Sequence, residues 1–317
     1  MATLRSLLTF ACLLFAATRT ISAQNQAEDV RVMTFNLWHG GDGGKQPFER
    51  TVEVVCAAKA DVVGLQETAG YAPQGKERPD HAERLAKALG WHYLKQKPGY
   101  VGSNIGIISR YPIVAEVGEG HSGATIRLPS GREIDVFNAH LMYTPYQPYQ
   151  LLKIPYHNAP FLTTADEAIA SANAARKKQI DALLKAIGAS KSRVRVVTGD
   201  FNEPSCLDWT PATVAGGTHP VSVEWPSTKS LSDAGFTDSY RKRHPDPVKS
   251  PGMTWATITK RDDPKDHHDR IDFVFVAGEA EIRNVEIVGE AKEQADIVAA
   301  PYPSDHRAVV TTLRLDK

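Results

Sequence analysis

Asp200 and Asn202 stand two positions apart, directly after a run of mostly β-branched residues over 194–198. Side chains two apart on an extended chain share a face, so a carboxylate and an amide are delivered together at a strand's carboxyl end. In α/β sheets that edge is where ligands bind. Gly199 is expected to make the tight turn there, and an isolated Gly-Asp-Phe-Asn also reads as an Asx turn leading into Pro204. Repetition favours chemistry over local geometry. Asn36, Glu67, His140, Asp272, Asp305 and His306 also stand at the ends of strand-like runs, and each is a carboxylate, an amide or an imidazole. A hard divalent cation takes oxygen ligands, keeps some of its water and polarises a phosphoryl oxygen. An attacking water must be oriented and deprotonated, and the leaving oxygen needs an acid or a cation. Hydrolysis of a phosphate ester asks for this set of groups. No thiolate or histidine-rich spacing points to zinc instead.

The elements that must hold these groups can be read in order. Residues 30–37 and 61–65 are strands that deliver Asn36, then Gln66 and Glu67. Between them Phe48, Val52, Val55 and Cys56 recur at helical spacing, which puts Cys56 on the core-facing side. A helix capped by Asp80 and stopped by Gly90 follows, then strands over 104–109 and 113–117. Residues 125–128 and 133–141 form a hairpin through Pro129-Ser130-Gly131, and its second strand carries His140. Residues 142–164 read as a long loop rich in Tyr and Pro. Thr164 and Glu167 make a capping box for a helix whose Ile180, Leu183, Leu184 and Ile187 share one face, with Gly188 as its stop. Residues 206–226 are loop-like around a short helix, 254–257 make a short strand, and strands over 270–276, 281–288 and 308–313 complete the pattern. Hairpins mixed with helical crossovers favour an α/β fold on more than one sheet. No repeat, low-complexity tract or linker divides residues 24–317, which read as a single domain.

With 317 residues, 42% of them hydrophobic, the chain can bury a sizeable core. Lys and Arg total 37, as do Asp and Glu; residues 1–23 hold only Arg5 and Arg19, so 24–317 carry 35 basic against 37 acidic residues, a formal charge of −2. No basic surplus announces a nucleic-acid binder, although a metal can neutralise the phosphate that matters. Residues 1–23 read as a secretory signal: Arg5, an apolar run over 7–17 too short to span a bilayer, and a cleavage site at Ile21-Ser22-Ala23. Cys12 leaves with it, and Cys56 and Cys206 do not make a disulfide framework. The mature chain is expected to be secreted or periplasmic, a monomer with no obligate protein partner.

The segments TFNLW, GLQE, GIISRYPI, FNAHL, TGDFN, RIDFVFV and SDH, in that order, resemble the endonuclease/exonuclease/phosphatase superfamily, the fold of pancreatic-type deoxyribonuclease and exonuclease III. The resemblance runs from about residue 30 to the C-terminus and is far more specific for the superfamily than for a substrate. It implies a four-layer α/β sandwich, two packed mixed β-sheets flanked by helices. Carried over residue by residue, it makes Glu67 the main metal ligand, with Asn36 and Asp305 beside the metal or its waters. Asp200 and Asn202 then orient the attacking water and the phosphate, and His306 is general base or phosphate ligand, held in its tautomer by Asp272. Asp269 rivals Asp272 for that place, and His140 stabilises phosphoryl oxygens or protonates the leaving group. The implied cofactor is Mg²⁺, with Mn²⁺ or Ca²⁺ as alternatives. The implied activity is a phosphodiesterase using in-line attack of water, nuclease or sphingomyelinase-like. The alternatives are a phosphomonoesterase on a sugar or inositol phosphate and, outside catalysis, a binding protein on the same fold. The partner is thus a phosphoester: nucleic acid, phospholipid head group or small molecule.

Trp38, Asn104, Tyr143 and Tyr146 are candidate substrate contacts. Trp38 either lines the cleft or closes its strand end, and Asn104 is placed to orient His140. The loop tyrosines either stack a base or sugar, or touch a lipid interface, or pack onto the chain's own surface. His267 and His268, which cannot share a strand face, are expected in solvent, as is the basic run Arg241-Lys242-Arg243-His244.

Overall fold

The computed structural model describes residues 27–316, so the signal expected over 1–23 lies outside the described residues. In chain order the strands are β1 (Glu28–Asn36), β2 (Val62–Gln66), β3 (His92–Lys95), β4 (Gly106–Ser109), β5 (Ile113–Val117), β6 (Gly123–Arg127) and β7 (Glu133–His140). After a long helix come β8 (Val194–Asp200), β9 (Thr237–Asp238), β10 (Asp272–Gly278), β11 (Glu281–Gly289), β12 (Ile297–Val298) and β13 (Ala308–Leu315). One mixed sheet runs β12-β11-β13-β1-β2-β4-β3 and the other β5-β6-β7-β8-β10-β9.

Alternation along the strands fixes how the sheets face each other. Val30 and Val32 of β1, Val62 of β2 and Ile107 of β4 pack against Ile134 and Val136 of β7, Val196 of β8 and Val274 of β10, which makes the core between the sheets. The intervening residues point the other way. Met33, Phe35, Val63 and Leu65 meet Val54, Val55 and Leu85 of the helices Phe48–Ala57 and His81–Leu89. Phe137, Val197, Phe273 and Phe275 meet Ile180, Leu183 and Ile187 of the helix Ala165–Gly188. The result is the expected four layers, helix, sheet, sheet, helix. Each aliphatic side chain withdrawn from water here contributes about 1.5–3 kcal/mol.

Toward the carboxyl ends of β1, β2, β7 and β8 the seam between the sheets turns polar. Asn138 donates through Nδ2 to the carbonyls of Leu65 (2.9 Å) and Gly106 (3.1 Å) and to Gln96 Oε1 (2.9 Å). Its Oδ1 accepts from Gln66 Nε2 (2.6 Å) and Thr198 Oγ1 (3.2 Å), while Gln66 also reaches Thr34 Oγ1 (3.1 Å). A Cβ on Gly64 would lie 2.6 Å from Asn138 Oδ1, so only glycine leaves room for this layer.

The helices keep their expected punctuation: Asp80 accepts from the N–H groups of Ala82 and Glu83, Gly90 has φ 69°, and Thr164 and Glu167 form a reciprocal capping box. Four local expectations change, the first being the short strand over 254–257, where Trp255 makes only isolated bridges. Cys56 is exposed, because the buried stripe of its helix is Thr51, Val54 and Val55. Both it and Cys206 are free thiols. Residues 142–164 are not all loop, since Gln147–Leu152 is helical. Gly199 makes no turn but sits inside β8, where a Cβ would come within 2.6 Å of the Ala139 carbonyl oxygen.

Candidate active site

Register brings the reactive residues side by side. β7 pairs in parallel with β8 so that His140 stands opposite Asp200, and β10 pairs antiparallel with β8 so that Asp272 stands opposite the same residue. Asn36 comes from β1, across the seam. Each of these lies two positions beyond a seam residue: Thr34, Asn138 and Thr198 precede Asn36, His140 and Asp200, and Asp272 precedes Val274. The site is therefore the open end of the space between the sheets.

Asp200, about 1% exposed, is its centre. Asn36 Nδ2 donates to Asp200 Oδ2 at 2.9 Å and lies 3.4 Å from Glu67 Oε1 and 3.5 Å from His306 Nε2. His140 Nε2 and His306 Nε2 approach the same Asp200 oxygen at 3.5 and 3.8 Å. The Asn202 N–H donates to Asp200 Oδ1 at 2.8 Å, closing an Asx turn, and Asn202 Nδ2 donates to the Leu141 carbonyl at 3.1 Å. The Asx-turn reading of the Gly-Asp-Phe-Asn segment holds, and that turn aims the carboxylate toward Asn36 and the two histidines. The bend falls at Asn202, with φ 47°, a conformation asparagine tolerates better than most residues.

His306 Nδ1 lies 3.0 Å from Asp272 Oδ2, which leaves Nε2 facing Asp200 and Asn36. Burial opposes charge on His306, but Asp272, Asp200 and Asp305 outweigh it and hold its pKa well above the ordinary histidine value. Burial pushes the Asp272 carboxyl up, His306 pulls it back and Asp200 pushes it up again. The carboxylates around this buried imidazole thus favour its charged form. Asp269 does not compete for His306; it accepts from Tyr146 Oη at 2.8 Å and Trp209 Nε1 at 3.0 Å.

Glu67 follows β2 with φ 50°, and Trp38 and His39 opposite it have φ 52° and 55°. Side chains make this left-handed region costly, about 1–3 kcal/mol each, and the surrounding bonds hold it. The Trp38 N–H donates to Asn36 Oδ1 at 2.9 Å and the His39 N–H to Glu67 Oε2 at 3.1 Å. Burial raises the Glu67 pKa, yet His140, His306 and the His39 N–H outweigh it and keep it below the ordinary glutamate value. Asp305 accepts from Trp255 Nε1 at 3.4 Å through Oδ2, and its buried Oδ1 has no hydrogen-bond partner among the described residues. Burial raises its carboxyl, and Glu67 adds to that rise. An orphaned carboxylate oxygen near an ionised glutamate and a fixed amide is a donor set suited to a hard divalent cation, so these residues fit a metal. The ligand atoms of Asp200, Asp272 and His306 also lie within 4.8 Å of one another, but the His306–Asp272 hydrogen bond already occupies two of them.

Asn36, Glu67, His140, Asp200, Asn202, Asp272, Asp305 and His306 thus converge. Tyr146 does not join them: at 2% exposure, with its hydroxyl on Asp269, it is a wall of the interior and no substrate contact. Asn104 is exposed, and no hydrogen bond joins its side chain to His140; its carbonyl accepts the Thr68 N–H at 2.8 Å. Tyr143 is about half exposed, edge-on to His157 at 5.5 Å. Trp38 is partly buried, and its ring packs against Gly43. His267, His268 and Arg241 are not in solvent: His267 faces Asp269, His268 reaches Thr259 Oγ1 at 2.9 Å, and Arg241 Nε donates to Asp208 at 2.5 Å. Tyr156, one of the loop tyrosines expected either to meet substrate or to pack on the chain's own surface, lies close enough to Asp305 and Glu67 to feel their charge. Trp255 was not foreseen: its ring lies tilted toward His306 with centres 6.2 Å apart, and nothing in its local sequence marks it.

Comparison with known proteins agrees with this fold. The model of the endonuclease/exonuclease/phosphatase family matches residues 33–306. An uncharacterized protein of Caenorhabditis elegans is 28% identical over 305 residues, covering 91% of this chain and 92% of its own. Among solved structures, an endonuclease/exonuclease/phosphatase of Beutenbergia cavernae superposes with TM-score 0.57 at 20% identity, over 91% of this chain and 72% of that one. An AP endonuclease of Archaeoglobus fulgidus gives 0.52 at 15%, over 89% and 98%. TDP2 of D. rerio, crystallised with a single-strand DNA product, gives 0.52 at 16%, over 90% and 99%. With a family match over most of its length and that family's fold, the chain belongs to the endonuclease/exonuclease/phosphatase family, whose members hydrolyse phosphoester bonds.

Proposed function

We propose that this protein is an exported phosphodiesterase that cleaves a P–O bond by in-line attack of water with the help of a divalent cation, Mg²⁺ in the first instance. The observation that carries the reading is the convergence of Asn36, His140 and His306 on one oxygen of the buried Asp200. Glu67 holds the cation, with Asn36 and the orphaned Asp305 Oδ1 beside it. When bound, the cation supplies Lewis acidity toward the phosphoryl oxygen. Asp200, its other oxygen pinned by the Asn202 N–H, orients the water and takes its proton. His306, kept charged by Asp272, and His140 face the phosphoryl oxygens as donors, and this stabilises the charge that develops in the transition state. Beneath the site, the side chains of the polar seam are bonded to one another and to backbone carbonyls, which leaves little there for water to bind.

The rim favours a substrate with a flat or apolar group beyond the phosphate. Tyr71 is 58% and Tyr143 48% exposed, and Tyr71 lies 5.1 Å from His39, itself against Glu67. Likeness to an AP endonuclease and to a structure holding a DNA product makes nucleic acid the first class to test. The deciding experiment is an activity panel with Mg²⁺: a generic phosphodiester, DNA, RNA, sphingomyelin and sugar phosphates, with His306→Ala as control. Cleavage of diesters that falls by orders of magnitude in His306→Ala, in a chain that still folds, supports the reading. Activity confined to monoesters, or unchanged in the variant, refutes it.

A further inference from the structure

Behind Trp255, outside the site described above, His219, His267 and Asp269 offer three ligand atoms that all lie within 4.8 Å of one another. We propose that they form a second metal site that takes Zn²⁺ and fastens the segment after β8 to the strand of the site. The donor set decides the metal: two imidazoles and one carboxylate suit zinc, whereas Mg²⁺ and Ca²⁺ want oxygen alone.

Each donor is prepared for this role by a second contact. Thr213 Oγ1 lies 2.9 Å from both the Thr210 carbonyl and His219 Nδ1, and with its single proton on the carbonyl it accepts from Nδ1. That bond fixes the proton on Nδ1 and leaves Nε2 with a free lone pair. Stacking of His219 on Trp209, with centres 4.2 Å apart at 11°, sets the plane of the ring. Asp269 Oδ1 accepts from Trp209 Nε1 and Oδ2 from Tyr146 Oη, which aims the carboxylate and leaves each oxygen a lone pair. His267 Nε2 is buried, has no hydrogen-bond partner and points at Asp269 Oδ1 from 3.6 Å. Tetrahedral zinc with bonds of about 2.0–2.1 Å spaces its ligands about 3.3–3.4 Å apart. His267 and Asp269 are nearly at that spacing, and the remaining closure falls to His219. A cavity of about 20 Å³, large enough for one water, opens beside two of the three donors, His219 and Asp269, with Thr218 and Met253 in its wall. Arg270 borders this cavity but brings no unmatched charge, being paired with Asp208 at 2.9 Å and Asp238 at 2.7 Å.

Asp269 exchanges backbone hydrogen bonds with Trp255, which makes a second isolated bridge to His306. A metal here therefore braces the wall of the site without touching the reacting atoms.

The test uses the full chain stripped with EDTA and titrated with ZnCl₂ in excess Mg²⁺, with zinc per chain counted after desalting and the thermal midpoint followed. One equivalent should be retained, with a raised midpoint, in the unaltered chain and in Glu67→Gln alike, and lost in His219→Asn and in His267→Asn. No retained zinc overturns the proposal. So does zinc lost in Glu67→Gln and kept in both histidine variants, which would place it in the phosphoesterase site. Should a histidine variant fail to fold by circular dichroism, Co²⁺ bound to Glu67→Gln provides the second readout. Intense visible absorption of tetrahedral cobalt supports the site, and only the weak bands of octahedral cobalt overturn it.

Discussion

Replacing Asp272 by asparagine, beside the same change at Asp269, separates two aspartates three residues apart. His306 Nδ1 and Asp272 Oδ2 are 3.0 Å apart, a charge-assisted hydrogen bond of about 1.5–3 kcal/mol. Asparagine keeps the shape and removes the charge, so a positive His306 loses its main compensation as the transition state forms. The same energy added to the barrier is about a 10- to 150-fold loss in turnover. Stability should move little, within about 1 kcal/mol. Asp272 Oδ1 has no partner and Asp200 crowds the carboxyl, so the substitution also removes a buried charge that was poorly served. Asp269→Asn should do the opposite. Both of its oxygens accept, from Tyr146 and Trp209, and an amide must turn its NH₂ toward one of those donors. That clash costs about 1–3 kcal/mol of stability, with turnover nearly unchanged. The assay is kcat on a generic phosphodiester at saturating Mg²⁺, together with urea midpoints for both variants. A larger loss of turnover in Asp269→Asn than in Asp272→Asn would refute the assignment of Asp272 to His306.

Gly64→Ala pushes a methyl into the seam against Asn138 and Thr198 and should cost about 1–3 kcal/mol or more in chemical denaturation; a neutral result would mean that the sheets separate easily. Arg176 and Glu203 form a fully buried pair at 3.6 Å, so Arg176→Met strands the glutamate and should destabilise by about 3–5 kcal/mol, partly recovered by adding Glu203→Gln. Burial pushes the Asp238 carboxyl up, but Arg270, the Arg241 N–H and Ser205 pull it down further, and its folded pKa lies below the unfolded one near 3.9. Its contribution to stability is complete above the unfolded pKa and fades as pH falls through the folded value, so Asp238→Asn should flatten the acid side of the stability–pH curve below about pH 4. An unchanged acid limb would assign that slope to other carboxylates. Finally, Mn²⁺ or Mg²⁺ at about 100 times its dissociation constant should add about 2.7 kcal/mol of stability, absent in Glu67→Gln.

The site was legible where chemistry and alternation coincide. Asn36, His140 and Asp200 end strands whose preceding same-face residues are buried, and a period of two carries the eye from core to mouth. What stayed hidden depends on contacts between distant segments. Tyr146 looks like an exposed loop aromatic until Asp269, 123 positions away, claims its hydroxyl. Trp255 shows no pattern at all, because its place is fixed by bridges to Asp269 and His306. The helix at Phe48–Ala57 was misread by a fraction of a turn, since the polar Thr51 lies on its buried stripe and the apolar Cys56 does not. Two histidines 48 positions apart give no metal-ligand spacing to notice, and only the folded chain brings them together.

The amide-and-hydroxyl layer beneath the site also constrains how such a chain can change over generations. Because Thr34, Asn138 and Thr198 stand two positions ahead of Asn36, His140 and Asp200, a single-residue insertion in any of these strands turns an anchor and its reactive neighbour outward together. Errors of alignment are thus lethal at once rather than gradual, and the strands can vary only by substitution. Exposed stretches beyond the strand ends, such as His157, Asn158 and Phe161, carry no such penalty and are free to lengthen, shorten or exchange side chains, whereas the buried Tyr146 and Tyr149 of the same connection are not. A lineage built on this seam can explore new substrates at its rim while its reacting atoms stay where they are.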